Sequence, residues 1–182
     1  MANKLKRAVI KEELVVLTGD FKKAVLLNQL IYWSERVNDY DNFIEEEKKR
    51  ARMAMSTDEK QRAEILKQIE LSHGWIYKTA EDMSLETMLG MSKSSIGRHL
   101  ENLLQNGWLE RRNNPHWKGD NTYQYRVDII KIQKDLFKLG YSLEGYKFDL
   151  REFQNEIPMF YNDTSKFQNE TISSKTEQSI SN

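Results

Sequence analysis

The sequence predicts a mainly α-helical chain with a small antiparallel β ribbon, an α+β fold. Three observations between residues 74 and 128 support this. Thr79-Ala80-Glu81-Asp82 and Ser92-Lys93-Ser94-Ser95 are helix-start patterns and predict two consecutive helices, which end at glycines. Two short β-like runs, Trp108 to Arg112 and Thr122 to Val127, then flank a polar connection that contains proline and glycine.

The composition of the 182 residues excludes several classes of protein. No apolar run approaches the roughly 18 residues that a membrane span needs, and the charged start lacks the apolar core of a signal peptide. We therefore expect a cytoplasmic protein without a membrane partner. Cysteine is absent and the three histidines are far apart, so we expect no metal and no cofactor. Phosphate-loop, dinucleotide, zinc-protease and nucleophile-elbow motifs are missing, which argues against an enzyme.

The first part of the chain contains an apolar run followed by an apolar helix. Leu14-Val15-Val16-Leu17 is interpreted as a strand or an extended lead-in. Asp20 is placed to cap a helix from Phe21 to about Val37. Because this helix is apolar on nearly every side, it must be covered on nearly every side, either by the same chain or by a second copy.

Residues 39–72 are interpreted as a helical insertion. They contain nine acidic and seven basic residues and neither glycine nor proline. Residues 43–55 and 57–71 are both predicted to be helical, with a capping-box pattern at Ser56 and Glu59 between them. Two interpretations stay open: a solvated charged hairpin, or an arm that docks on a partner or mediates dimerisation.

The order strand, helix, turn, helix and two-stranded ribbon is that of a winged helix-turn-helix, which usually binds duplex DNA. On a helical wheel of the second helix, one side is apolar and predicted to be buried (Ile96, Leu100, Leu103, Leu104). The opposite side carries groups that hydrogen-bond base edges and phosphates (Ser94, Ser95, Arg98, Asn102, Gln105). Gly97 on the flank is interpreted as a site of close approach by the first helix. An ordinary solvent-exposed face is the alternative.

The candidate DNA-binding residues lie on the second helix and on the ribbon with its tip. Between Ser92 and Val127 there are six basic and three acidic residues, so this segment is mildly basic within a chain of zero net charge. At the tip, Trp117 either contacts DNA, by stacking on a sugar or inserting beside the backbone, or folds back onto the ribbon. The predicted set is Lys93, Ser94, Ser95, Arg98, Asn102, Arg111, Arg112, Trp117, Lys118 and Asn121.

The predicted domain boundary follows one more helix. Residues 128–139 form that helix, with Ile129, Ile132 and Leu136 on one side and Gly140 as its stop. Residues 1–140 are therefore predicted to be the DNA-binding domain, and residues 141–182 an extended polar tail that is largely disordered. Phe-Gln-Asn-Glu occurs at residues 153–156 and again at 167–170, either as a partner-docking repeat or as drift in a low-complexity segment.

About the first 150 residues resemble the N-terminal winged-helix module of replication proteins from phages and mobile elements of Gram-positive bacteria, called replisome organisers or DnaD-like proteins. The resemblance is carried by residues 14–17, 24–33, 74–79, 91–100, 106–109 and 113–127. It implies a DNA-binding module that nucleates or organises replication, often as a dimer or larger assembly. Many of these proteins have a second folded domain for single strands or the helicase loader, whereas a polar tail follows here.

The predicted function is DNA binding in the initiation or organisation of replication of a plasmid, phage or other mobile element. Expected partners are double-stranded DNA, a second copy of the chain, and a replisome protein that contacts the C-terminal tail. Two alternatives stay open: a winged-helix transcriptional regulator, and an interaction scaffold that does not bind DNA.

Overall fold

The computed structural model describes residues 7–53, 57–115 and 119–146. Within these residues the chain is mainly helical and has one small antiparallel sheet. None of the described helices is both long and apolar enough to cross a membrane. The helices are α1 (Glu12–Thr18), α2 (Phe21–Arg52), α3 (Thr57–Lys67), α4 (Ala80–Thr87), α5 (Lys93–Gln105) and α6 (Ile129–Lys138), and the strands are β1 (Ile76–Tyr77), β2 (Leu109–Asn113) and β3 (Tyr123–Val127).

The predicted extended lead-in at residues 14–17 is wrong, because this segment lies within α1. The adjacent valines favour a strand locally. Burial follows helical spacing instead, since Leu14 and Thr18 are both buried. The Thr18 hydroxyl donates to the Leu14 carbonyl at 2.8 Å, and Gly19 ends the helix with a φ of 66°.

The start of α2 is as predicted, but its predicted end near Val37 is wrong. Asp20 Oδ1 accepts hydrogen bonds from the N–H groups of Lys22 at 2.7 Å and Lys23 at 3.2 Å. The helix then continues to Arg52, because its charged second half contains good helix formers and no breaker. Leu26, Leu27 and Leu30 are all fully buried within the single chain, whereas Phe21 and Tyr32 are 48% and 42% exposed, so this chain covers only part of the apolar surface of the helix.

The predicted helical insertion is the second half of α2 together with α3. These two helices contact each other, and Ile44 and Leu66 are buried there. Ser56 of the predicted capping box lies outside the described residues. Asp41 on α2 binds the segment that follows α3. Its carboxylate accepts hydrogen bonds from the N–H groups of Ser72 at 2.8 Å and His73 at 2.7 Å.

Local capping explains the predicted helices of the second half, which are confirmed. Thr79 and Asp82 form a capping box at α4, with backbone-to-side-chain distances of 3.0 and 3.1 Å. The side-chain and backbone hydrogen bonds from Thr79 lower the pKa of Asp82 below its usual value. Ser92 caps α5, which is followed by Asn106 and by Gly107 with a φ of 74°. Asp128 caps α6 through the N–H of Lys131 at 2.9 Å.

The sheet has the order β1-β3-β2 with both pairings antiparallel. The two predicted β-like runs correspond to β2 and β3, each beginning one residue later than predicted. Leu109 pairs with Val127 and Arg111 with Tyr125, so successive residues alternate between two faces. One face buries Ile76, Leu109 and Tyr125. The other face carries Arg112 and Arg126.

A single core cluster joins α1, α2, α4, α5, the sheet and α6. The chain divides into one unit of residues Met1–Tyr146 and another of Lys147–Asn182. Residues 141–146 extend past the predicted boundary at 140: Leu143 is buried and its N–H donates to the Gln133 side chain at 3.1 Å. The predicted disorder of residues 147–182, with both Phe-Gln-Asn-Glu words, lies outside the described residues.

Candidate nucleic-acid interface

Helix α5 packs against the core through its apolar face and exposes its polar face. Ile96, Leu100 and Leu103 are buried, as predicted. Leu104 is only half-buried, at the margin of the core. The residues Lys93, Ser94, Ser95, Arg98 and Asn102 are called the α5 surface here; all five are exposed or half-buried.

Hydroxyl groups organise the start of this surface. Ser92 Oγ accepts from the N–H of Ser95 at 3.3 Å, so one of the N–H groups in the first turn of α5 already has a partner. Arg98 Nη2 donates to Ser95 Oγ at 3.2 Å. Among the described residues, Arg98 has no carboxylate within ion-pair distance. Its guanidinium is exposed and able to donate to an outside acceptor.

A groove of about 400 Å³ lies beside α5, between the start of α4 and the sheet. Predicted residues from three segments come together there: Lys93 from α5, Arg111 from β2, and Asn121 from the connection between the strands. Tyr123 also lines the groove, and the guanidinium carbon of Arg111 lies 4.5 Å from its ring centroid. The groove therefore combines cations, an amide and an aromatic ring.

Two carboxylates that were not among the predicted residues lie at the same place. Glu81 Oε1 is 2.6 Å from Lys93 Nζ, and Glu101 Oε2 is 2.9 Å from Arg111 Nη1. Glu101 falls on the polar side of α5 in the helical wheel, so the sequence pattern could have indicated it. Glu81 is brought to Lys93 by the packing of α4 against α5, which no local pattern encodes.

Arg112 lies on the opposite face of the sheet from Arg111, as alternation along a strand requires. Its guanidinium carbon is 4.2 Å from the Trp75 ring centroid, and that of Arg126 is 4.9 Å from the same ring. Arg112 Nε also donates to Gln124 Oε1 at 2.7 Å. Burial, with the nearby charge of Arg126, lowers the pKa of Arg112. The structure thus separates Arg112 from the groove.

Asp120 orders the described part of the connection between β2 and β3. Its two oxygens accept from the Asn114 side chain at 3.0 Å and from the N–H of Thr122 at 2.9 Å. These hydrogen bonds, that of Asn114 first, lower the pKa of Asp120 to about 2. The adjacent Asn121 is thereby held at the groove. Trp117 and Lys118 lie outside the described residues, so neither of the two predictions for Trp117 is tested.

Gly97 lines the groove and makes no close approach to α4, so that interpretation is wrong. A Cβ added at Gly97 meets nothing within 4 Å. Glycine inside a helix costs backbone entropy, so Gly97→Ala is expected to stabilise the fold by about 0.5–1 kcal/mol. Urea unfolding followed by circular dichroism measures this difference. An unchanged or lower unfolding free energy would contradict the open position of Gly97.

Within the part of the chain that the structure describes, no group of three or more His, Asp or Glu side chains could hold a metal ion. The described site carries hydroxyl, amide, aromatic, cationic and carboxylate groups. Comparison of the chain with family models, with curated proteins and with solved structures finds no match.

Proposed function

We propose that the chain is a winged helix-turn-helix protein that binds duplex DNA through the α5 surface and the neighbouring groove. The observation that carries this proposal is the meeting of Lys93, Arg111 and Asn121 beside an exposed polar face of α5. In this proposal α5 enters the major groove and β2–β3 is the wing along the backbone. The side chains that face outward are of the kinds that donate to phosphates and to base edges.

The biological role in this proposal is the initiation or organisation of replication of a plasmid, phage or other mobile element. That part rests on the resemblance of the sequence to replication modules. A transcriptional regulator would use the same surface, and the position of the binding sites separates the two roles. Genome-wide crosslinking of the protein to DNA should find clustered sites at a replication origin, whereas a regulator would give sites that overlap promoters.

One observation favours a scaffold that does not bind DNA as the second candidate. The three cations that line the groove, Lys78, Lys93 and Arg111, are already paired with carboxylates. Arg98 is the cation of this region that has no carboxylate partner among the described residues. A scaffold would show no affinity for duplex DNA even at low salt. From Lys93, Arg98 and Arg111 alone, a DNA-binding protein should show a log–log salt dependence with a slope of roughly −3.

Arg98→Ala tests the proposal most directly. Loss of a guanidinium contact to a base or phosphate is expected to weaken duplex binding by about 1–3 kcal/mol, roughly 5- to 150-fold. Fluorescence anisotropy with a labelled duplex of about two helical turns measures the affinity, and thermal unfolding checks the fold. Arg36→Ala is the matched control, because Arg36 is an exposed arginine on α2, outside the α5 surface and the groove.

The two variants separate the possible results. Arg36→Ala should bind as the unmodified chain does. Equal affinities of the Arg98→Ala variant and the unmodified chain would remove α5 as the DNA-contacting element. Absence of binding by the unmodified chain at low salt would remove the proposal as a whole and favour the scaffold.

A further inference from the structure

The cations at the groove are balanced by carboxylates of the same surface. Lys93 pairs with Glu81 and Arg111 pairs with Glu101, so each approaching phosphate meets a cation with an acidic neighbour. Glu101 is on α5, and Glu81 is in the first turn of α4. Glu101 therefore lies on the helix, and Glu81 at the groove, through which the chain is proposed to bind DNA.

These two ion pairs contribute little to the stability of the fold. The Lys93 and Glu81 side chains are 68% and 64% exposed, and Arg111 and Glu101 are 35% and 48% exposed. Because water screens the charges of ion pairs this exposed, their attraction adds little to the stability of the fold. Helices α4 and α5 are held instead by buried side chains such as Met83, Ile96 and Leu103. The carboxylates are thus free to act on binding without holding the structure together.

A DNA phosphate must compete with each carboxylate for its cation. Contacts to phosphates supply nearly all of the non-specific affinity for DNA and a share of any specific affinity, and this electrostatic part is what an acidic neighbour reduces. Hydrogen bonds to base edges, as from Asn102 or Ser94, do not depend on displacing a carboxylate.

We propose that Glu81 and Glu101 are intramolecular counter-ions that compete with phosphates for Lys93 and Arg111 and lower the affinity of the surface for arbitrary duplex sequence. This inference rests on the proposed binding of duplex DNA. Its consequence is that neutralising either acidic residue increases the affinity for any duplex, because phosphate contacts are made whatever the sequence.

The fold provides a matched control in Glu110. It precedes Arg111 on β2, on the opposite face of the sheet, and its carboxylate pairs with Arg126 at 2.5 Å. Glu110 is 48% exposed, the same fraction as Glu101. Glu110→Gln and Glu101→Gln therefore change the net charge equally and remove similar ion pairs. They differ in whether the freed arginine lies at the groove.

The experiment measures the affinity of the full chain for a mixed-sequence duplex of about two helical turns between roughly 50 and 200 mM salt. Glu101→Gln is expected to raise the affinity several-fold at the lower salt and to steepen the log–log slope by up to about 0.9, the value for one added phosphate contact. Glu81→Gln is expected to act in the same direction. Glu110→Gln should change the affinity less than about two-fold, because Glu110 and its partner Arg126 lie on the face of the sheet away from the groove.

Repeating the Glu101→Gln substitution in an Arg111→Ala chain tests whether Glu101 acts through Arg111. If Glu101 acts by competing for Arg111, Glu101→Gln should gain much less affinity in an Arg111→Ala chain than in the unmodified chain. Equal gains in both backgrounds, or equal effects of Glu101→Gln and Glu110→Gln, would overturn the inference while leaving duplex binding intact. Absence of binding by the unmodified chain and by every variant would overturn the proposed function and the inference together.

Discussion

Leu103→Ala is expected to destabilise the folded chain by about 2–5 kcal/mol, the range for removing a fully buried leucine side chain. Leu103 has no exposed surface and lies on the buried face of α5. Its carbonyl also accepts from the N–H of Trp108 at 3.2 Å, where the chain turns from α5 into β2. The substitution leaves a cavity at the point where α5 and the sheet are held to the core.

Urea unfolding followed by tryptophan fluorescence and by circular dichroism measures this loss. Gln105→Ala on the same helix is the control, because Gln105 is exposed and its substitution is expected to change stability by no more than about 0.5 kcal/mol. If Leu103→Ala cost as little as Gln105→Ala, α5 could not be anchored through this face.

Glu86→Ala is expected to destabilise the fold by about 2–4 kcal/mol. Its carboxylate accepts from the Gln29 side chain at 2.9 Å, from the Trp33 indole at 2.6 Å and from Lys78 at 2.5 Å. The Lys78 ammonium also lies 3.8 Å from the Trp33 ring centroid. Truncation leaves a mostly buried cation and an indole donor without their acceptor, which is costly although the lysine keeps its aromatic contact.

A double-mutant cycle isolates this interaction. Lys78→Met removes the cation, so Glu86→Ala should cost less in that background than in the unmodified chain. Glu64→Ala on α3 is the control, since Glu64 pairs with Lys67 and both side chains are at least 66% exposed. Its expected cost is below about 1 kcal/mol. A Glu86→Ala cost as small as that of Glu64→Ala would show that the Glu86 network does not hold α4 to α2.

The second half of the chain was predictable because its signals are local. Thr79 with Asp82, Ser92 and Asp128 cap the three helices after β1, and each cap acts within a few residues. The polar and apolar sides of α5 follow from helical periodicity alone. The candidate residues on that helix therefore lie on its outward face, as the helical wheel predicted.

The first half was less predictable because its signals conflict. The valines of residues 14–17 favour a strand, whereas burial of Leu14 and Thr18 at helical spacing favours α1. The charged stretch after Val37 was predicted to start a separate insertion. It continues α2, because it contains good helix formers and no breaker. Asp41 on this continuation accepts hydrogen bonds from the N–H groups of Ser72 and His73.

The sequence by itself determined the order of the elements from β1 to α6, their caps, and the outward side of α5, because each depends on residues within one or two turns. The tertiary structure alone decided that Glu81 faces Lys93, that Glu86 joins α2 to α4, and that β1 pairs with β3. These contacts join residues that are distant in sequence. Their formation depends on how the whole core packs, and no local pattern carries that information.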